Sequence, residues 1–199
     1  MVIVGLCGNS GSGKGYVCNR FSSYGVAFID TDKVYREEVL TDERCKSELV
    51  GYFGSCILKN GQVSKKRLAP LVFEGEGAPA RLEMLNKITH KYIKIKTDEL
   101  VDMYDKQGYP AVLIDAPVLF ESGFDSMCHV TVCVTAPYET KIARIMKRDN
   151  VSREKAEARL KTQLGEDELI KRCTYAINNT DGCDVNGQIK SILKDLSIE

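Results

Sequence analysis

The first fifteen residues of this 199-residue chain constrain its fold more than any other stretch. A short apolar run, Val2–Cys7, breaks abruptly into glycines and small polar residues, GNSGSGKG at 8–15. The apolar run predicts a buried strand, and glycine, which has no Cβ, allows the backbone N–H groups of the next loop to turn toward one anion. A helix that begins at Lys14 would add the positive end of its dipole. The pattern therefore predicts a strand, an anion-binding loop and a helix in succession.

The loop has the G-x-x-x-x-G-K spacing of a P-loop, in which the backbone cradles the phosphates and the lysine reaches the β- and γ-phosphates. A plain glycine-rich turn after a strand is the alternative, but the complete match to the spacing favours the P-loop. The motif continues with a Ser or Thr whose hydroxyl binds Mg²⁺, and this chain has Gly15 there. The predicted ATP-binding residues of this stretch are Gly8, Asn9, Ser10, Gly11, Ser12, Gly13, Lys14, Gly15 and Tyr16.

Further apolar runs alternate with helical patterns and predict the rest of a parallel sheet that helices cover on both faces. These runs are at 26–29, 111–114, 129–134 and 175–178. Between 41 and 109 the pattern is helical and polar with few strand signals, which predicts a helical insertion where a second substrate could bind. We therefore expect one α/β domain, 1–199, with a five-stranded parallel sheet interrupted by the insertion 41–109.

Acidic residues follow two of the predicted strands, at the edge where open parallel sheets bind their ligands. Asp30 and Asp32 follow the second strand, and Asp115 ends the third. An aspartate can orient an attacking hydroxyl and accept its proton during phosphoryl transfer, and it is ionised at neutral pH. One of the first pair could instead cap the next helix, and we assign the chemistry to Asp32. Asp115 either holds a metal-bound water or faces solvent.

A basic stripe lies downstream of these acids. Lys141, Arg144 and Arg148 are three and four residues apart, which places them on one face of a predicted helix. Such a stripe is usually a solvated helix face, but guanidinium groups also suit phosphate oxygens. In a chain with a P-loop the second interpretation is favoured, because a kinase requires cations that close over its phosphates. A second charged helix is predicted at 152–163.

Composition argues against several other classes of function. Lys and Arg total 28, as do Asp and Glu, and this balance disfavours a nucleic-acid-associated ATPase or a membrane-surface protein. No segment approaches the roughly 20 apolar residues of a membrane span, and the chain enters its first strand without a basic leader, so we expect a cytoplasmic protein. The eight cysteines include no C-x-x-C pair, so neither a disulfide framework nor a zinc site is predicted.

Several segments resemble the dephospho-CoA kinase family, which phosphorylates the 3′-hydroxyl of dephospho-coenzyme A with ATP in the last step of coenzyme A synthesis. The most distinctive is DAPVLFE at 115–121, which is similar to the family's D-x-P-L-L-F-E signature, a motif that other P-loop kinases lack. The others are IDTD at 29–32 with Arg36, Arg144 with the pair Arg148 and Asp149 and with Gln163, and YAINN at 175–179. With the P-loop, the resemblance covers nearly the whole chain.

The resemblance implies a role for each matching position. Lys14 would contact the phosphates, Asp32 would be the catalytic base, and Arg144 and Arg148 would be cations of a helical lid at about 140–172. The insertion would cover the coenzyme A moiety. The residues implied in substrate binding are Asp32, Arg36, Arg67, His90 and Asp115, and Asn179 would approach the adenine. The chain departs from the family at Gly15, at Lys91, where a proline is usual, and at Asn178, where an aspartate is usual.

These observations predict a three-layer P-loop kinase fold with a helical substrate-binding insertion and a helical lid. We expect a monomer that uses ATP, Mg²⁺ held through the phosphates and water, and dephospho-CoA as its small-molecule substrate. Two alternatives stay open. A nucleoside or nucleotide kinase would share the P-loop and lid, although the 115–121 segment argues against it. A nucleotide-binding homologue with weak or no kinase activity would account for Gly15.

Overall fold

The structure is a computed structural model that describes residues 1–198. Its strands are β1 (Val2–Cys7), β2 (Ala27–Asp30), β3 (Leu58–Lys59), β4 (Gln62–Val63), β5 (Ala111–Asp115), β6 (Val130–Thr135) and β7 (Tyr175–Asn178). Its α-helices are α1 (Lys14–Ser22), α2 (Thr31–Glu37), α3 (Glu43–Phe53), α4 (Lys65–Phe73), α5 (Ala78–Lys106), α6 (Tyr138–Asp149), α7 (Arg153–Lys161), α8 (Glu166–Arg172) and α9 (Val185–Asp195). Within the described residues, no helix combines the length and the apolar character that crossing a bilayer requires.

Five strands form one sheet in the order β2-β5-β1-β6-β7. The pairs β1–β5, β1–β6 and β6–β7 are parallel, with Leu6 opposite Asp115 and Cys7 opposite Cys133. The prediction of an α/β fold with a five-stranded parallel sheet is confirmed. Because β1 lies at the centre of the sheet, the loop that follows it begins between the ends of β5 and β6.

Both faces of the sheet are covered, as the continuous apolar runs predicted. On one face, Val4 and Leu6 are fully buried with Phe21 of α1 and Ile189 of α9. The opposite face is packed so closely that a Cβ on Gly5 would lie 2.7 Å from the Cys128 sulfur. Glycine at this position therefore allows the chain to pack directly against the central strand.

The chain divides into two compact units, one of Met1–Ile29 with the segment from Met103 onward, and one of Asp30–Asp102. The second unit contains α2 to α4, most of α5 and the antiparallel hairpin β3–β4. This hairpin was not predicted from the sequence, although Asn60 and Gly61 form an Asn-Gly turn with φ of 53° and 78°. Positive φ at both positions is the signature of a two-residue hairpin turn, so the signal was present in the sequence.

Candidate active site

The loop between β1 and α1 has the backbone of an anion cradle. Gly8, Gly11 and Gly13 have φ of 145°, 79° and 90°, in the region that favours glycine. A Cβ on Gly13 would lie 2.1 Å from the Asn179 amide nitrogen, and one on Gly11 would lie 2.5 Å from the Lys141 carbonyl oxygen. The glycines are therefore required both by conformation and by the chain packed around the loop.

The start of α1 leaves backbone donors for a ligand. The first N–H groups of an α-helix have no partner within the helix. In residues 1–198, no hydrogen bond is donated by the backbone N–H of Gly13, Lys14 or Gly15. The Lys14 ammonium donates to the carbonyl oxygen of Gly8 at 3.0 Å, so this cation lies against its own loop. Positive charge and free N–H groups thus meet at one helix start, as phosphate binding requires.

Arg144 of α6 clamps the loop from outside. Its guanidinium donates to the carbonyl oxygens of Gly11 at 3.4 Å, Ser12 at 3.3 Å and Asn179 at 3.1 Å. It also pairs with Asp181 at 3.1 Å, and the Asn179 side chain donates to the Ser12 carbonyl oxygen at 2.8 Å. Asp181 was not predicted as a site residue, because nothing in the local sequence pattern links it to the loop. This network fixes α6, the P-loop and the segment after β7 to one another.

The other end of α6 and the segment between α7 and α8 hold the first half of the loop. Arg148 donates to the Ser10 hydroxyl at 3.1 Å and pairs with Asp149 at 2.8 Å. The Ser10 backbone N–H donates to the Gln163 side chain at 2.9 Å. The Asn9 side chain donates to the carbonyl oxygen of Leu164, also at 2.9 Å. The segment predicted as a lid therefore contacts the P-loop directly.

Lys141 does not join the two arginines. Its side chain is 7% exposed and pairs with Glu166 of α8 at 2.7 Å. Burial of one charge requires a partner of opposite sign, and Glu166 provides it. The interpretation of Lys141, Arg144 and Arg148 as one phosphate-facing stripe is thus wrong at its first residue, which has a structural role.

A cavity of about 480 Å³ opens beside Gly13. Its walls include Tyr16, Arg144, Asn179, Thr180 and Asp181. Tyr16 is 46% exposed, whereas Asn179 is 8% exposed. An aromatic face and a buried amide beside the phosphate cradle form a suitable surface for a flat heterocycle.

Asp115 lies next to the cradle at the end of β5. It is opposite Leu6 in the strand register, and the Cys18 thiol donates to its carboxylate at 3.9 Å. A carboxylate oxygen suits Mg²⁺, which prefers hard oxygen ligands and retains several waters. Gly15 provides no ligand, and a Cβ there would meet no other atom within 4 Å. The donors therefore fit an ion held by Asp115, water and a nucleotide's phosphates rather than by position 15.

The second unit contains the other predicted residues. Asp30 is the N-cap of α2, because its carboxylate accepts from the Lys33 backbone N–H at 2.9 Å. Asp32 and Arg36 are exposed and one turn apart on the same helix. Neither side chain forms a hydrogen bond or ion pair with any residue from 1 to 198. Of the two aspartates that the sequence offered, one has the capping role and the other is free.

Arg67 and His90 are on α4 and α5 of this unit. The Arg67 guanidinium donates to the carbonyl oxygens of Leu58 and Cys56, at 3.5 Å in the second case. His90 is half-buried, and desolvation lowers the pKa of its imidazole, which is therefore neutral at neutral pH. Lys91, in the position where the family usually has a proline, forms an ion pair with Glu48 at 2.6 Å.

Comparisons with known proteins agree with this geometry. The family model described as dephospho-CoA kinase matches residues 2–184. A dephospho-CoA kinase of Dehalococcoides mccartyi is 37% identical over 180 residues, which are 90% of this chain and 89% of the relative. One of Bacillus cereus is 34% identical over 200 residues, covering 99% and 98% of the two chains.

Solved structures give the same result. A crystal structure from Thermus thermophilus has a TM-score of 0.79 at 31% identity, covering 98% of this chain and 97% of the other. Dephospho-CoA kinase from Campylobacter jejuni has a TM-score of 0.68 at 25% identity, with coverage of 98% and 96%. Shikimate kinase from Acinetobacter baumannii shares the fold alone, with a TM-score of 0.53 at 18% identity. The chain belongs to the dephospho-CoA kinase family.

Proposed function

We propose that this protein transfers the γ-phosphate of ATP to the 3′-hydroxyl of dephospho-coenzyme A and releases ADP and coenzyme A. The observation that carries the proposal is the clamped phosphate cradle, with Lys14, Arg144 and Arg148 all bonded to P-loop atoms. The family match over residues 2–184 supports the choice of acceptor.

The donor half of the proposed reaction uses the first unit. Free N–H groups at the start of α1 and the Lys14 ammonium would bind the β- and γ-phosphates. The cavity lined by Tyr16 and Asn179 would accept the adenosine. Arg144 and Arg148 would stabilise charge that develops on the transferring group, because guanidinium forks match phosphate oxygens. Residues at about 140–172 would form the lid over this nucleotide.

The proposed acceptor half uses the second unit. Asp32 would orient the 3′-hydroxyl and accept its proton, which a carboxylate without a protein partner is free to do. Arg36, Arg67 and His90 would contact dephospho-CoA, with the helical material at 41–109 covering its coenzyme A moiety. The neutral His90 would contribute a hydrogen bond rather than a charge.

The proposed magnesium site uses Asp115. Its carboxylate would hold the ion through water, while the nucleotide provides the other ligands. When bound, Mg²⁺ neutralises charge on the phosphates during transfer. We also propose a monomer that acts in the cytoplasm on small molecules, without a nucleic-acid or membrane partner. Size-exclusion chromatography with light scattering tests whether the protein is a monomer.

A coupled assay of ADP release tests the proposed function. The protein is incubated with ATP and Mg²⁺ and with dephospho-CoA, adenosine or AMP as acceptor. We expect turnover with dephospho-CoA alone, and mass spectrometry should detect coenzyme A. Turnover only with AMP would instead indicate a nucleotide kinase. ATP binding in a calorimeter without turnover on any acceptor would indicate a homologue that binds nucleotide without catalysis.

A further inference from the structure

A cluster of three thiols lies at the base of the P-loop, outside the proposed kinase machinery. Cys7 is the last residue of β1, Cys133 is opposite it on β6, and Cys173 directly follows α8. Their sulfur atoms all lie within 4.8 Å of one another, and those of Cys7 and Cys173 are 3.4 Å apart. The three residues are far apart in sequence, which is why cysteine spacing did not reveal the cluster.

The separations suit a single metal ion. Thiolates bound to one zinc ion at about 2.3 Å lie roughly 3.8 Å apart in tetrahedral geometry. The observed 3.4 Å separation and the 4.8 Å upper limit bracket that value. Small side-chain rotations would therefore bring all three sulfurs into contact with one ion.

Burial also suits a thiophilic ion. Cys7 and Cys133 are at most 1% exposed, whereas Cys173 is half-buried and gives access from solvent. All three thiols would release their protons when an ion binds, so binding would be coupled to pH.

We propose that Cys7, Cys133 and Cys173 bind one thiophilic d¹⁰ divalent ion, with Zn²⁺ as the natural candidate. Three soft sulfur ligands exclude Mg²⁺ and Ca²⁺, which require oxygen. Three thiolates around a divalent ion carry one net negative charge. Solvent reaching Cys173 would occupy the fourth position.

The ion would cross-link the base of the nucleotide site. Cys7 directly precedes Gly8, whose carbonyl oxygen accepts from Lys14. Cys173 directly follows α8, whose first residue, Glu166, pairs with Lys141 of α6. An ion at this point would join β1, β6 and the end of α8, and would raise the melting temperature because it binds only the folded chain.

Cadmium titration of the full-length protein tests the site without any assay of activity. After reduction and removal of metal, Cd²⁺ is added and the thiolate-to-metal absorption in the ultraviolet is followed, with Zn²⁺ competition afterwards. We expect one ion per chain, displaced by Zn²⁺. Cys173→Ser should weaken binding by more than about tenfold, since even outer-shell changes cost that much. Cys7→Ala provides a second test at a fully buried ligand, and circular dichroism verifies folding.

Cys56→Ser and Cys183→Ser are the matched controls, because both thiols are exposed and outside the cluster. These variants should retain the absorption, the stoichiometry and the rise in melting temperature with Zn²⁺. The proposal is overturned if the folded protein gives no thiolate-to-metal absorption, or if Cys173→Ser binds as tightly as the parent. Loss of binding in either control variant would equally overturn it.

Discussion

The P-loop and helix α2 differ in how their candidate functional side chains are held. Lys14, Arg144 and Arg148 each donate to atoms of the loop, so the cations proposed to bind phosphate are fixed by the protein itself. The side chains of Asp32 and Arg36 on α2 are exposed and bond to no residue in the described chain. Charges that must stabilise a developing anion act best when they are oriented in advance, whereas a base must remain available to its substrate.

The difference has a direct consequence for mutation. Changes at the cradle should alter nucleotide binding and stability together, because the residues proposed to bind the nucleotide also bond to the protein. Changes at Asp32 should alter turnover alone.

Asp32→Asn should have the largest effect. Loss of the proposed base should reduce kcat by about 10²–10⁴-fold, the usual contribution of general-base catalysis. The KM for ATP and the melting temperature should stay near their parent values, because Asp32 has no protein partner. Steady-state kinetics with dephospho-CoA and a thermal melt measure all three quantities.

Asp30→Asn is the matched control, since it makes the same chemical change two residues earlier. Asparagine can still accept from the Lys33 N–H, so the α2 cap and turnover should both be retained. If Asp32→Asn turns over at the parent rate, the base assignment is wrong. If Asp30→Asn loses turnover instead, the roles of the two aspartates are reversed.

Gly13→Ala should have the second-largest effect. A Cβ at this position, with φ of 90°, would lie 2.1 Å from the Asn179 amide. Strain of this kind costs about 1–3 kcal/mol, and displacement of Asn179 would also disturb the network of Arg144. We expect a lower free energy of unfolding in urea and loss of measurable ATP binding by calorimetry.

Gly15→Ala is the control for the same substitution inside the motif. A Cβ on Gly15 meets nothing within 4 Å, and this residue belongs to α1. Alanine favours helix over glycine, so stability should be equal or slightly higher. If Gly15→Ala lost as much stability and ATP binding as Gly13→Ala, the close packing around Gly13 would not be the reason that the loop requires glycine.

Gly15→Ser should have a smaller effect, on metal dependence. The hydroxyl would supply the ligand that the P-loop motif normally has, in space that is open here. An added interaction of about 1 kcal/mol would lower the Mg²⁺ concentration for half-maximal turnover by roughly fivefold. Gly15→Ala lacks the hydroxyl and should behave like the parent. An unchanged Mg²⁺ requirement in the serine variant would mean that the ion is held fully elsewhere.

Local signals made much of the donor site predictable from sequence. An apolar run, a glycine spacing and a lysine are contiguous in the chain, and parallel strands place Asp115 beside them. The chemistry was assigned to Asp32 from sequence, but which aspartate caps the helix could not be decided there, because both residues are aspartates at positions that suit a cap. Only the hydrogen bond from the Lys33 N–H identifies Asp30 as the cap.

Contacts between distant segments could not be predicted in the same way. Helical spacing grouped Lys141 with Arg144, but its partner Glu166 is 25 residues away, and burial decides its role. Cys7, Cys133 and Cys173 meet because two strands pair in register and α8 ends beside them. Periodicity describes one helix or strand at a time, so it predicts neither the Lys141–Glu166 pair nor the cluster of cysteines.

The smallest effect is expected for His90→Gln, which changes a half-buried side chain of the second unit. Burial lowers the pKa of its imidazole in the folded chain below the ordinary value of 6.5. At pH values between the lowered pKa and 6.5, the unfolded chain therefore binds more protons than the folded one. The contribution of His90 to stability is therefore complete above pH 6.5 and is lost as the pH falls through the lowered pKa. Urea denaturation at pH 7.5 and 5.5 should reveal a larger acid-induced loss in the parent than in His90→Gln. Because carboxylates respond equally in both proteins, the difference between them isolates the histidine, and equal losses would contradict its burial as a neutral group.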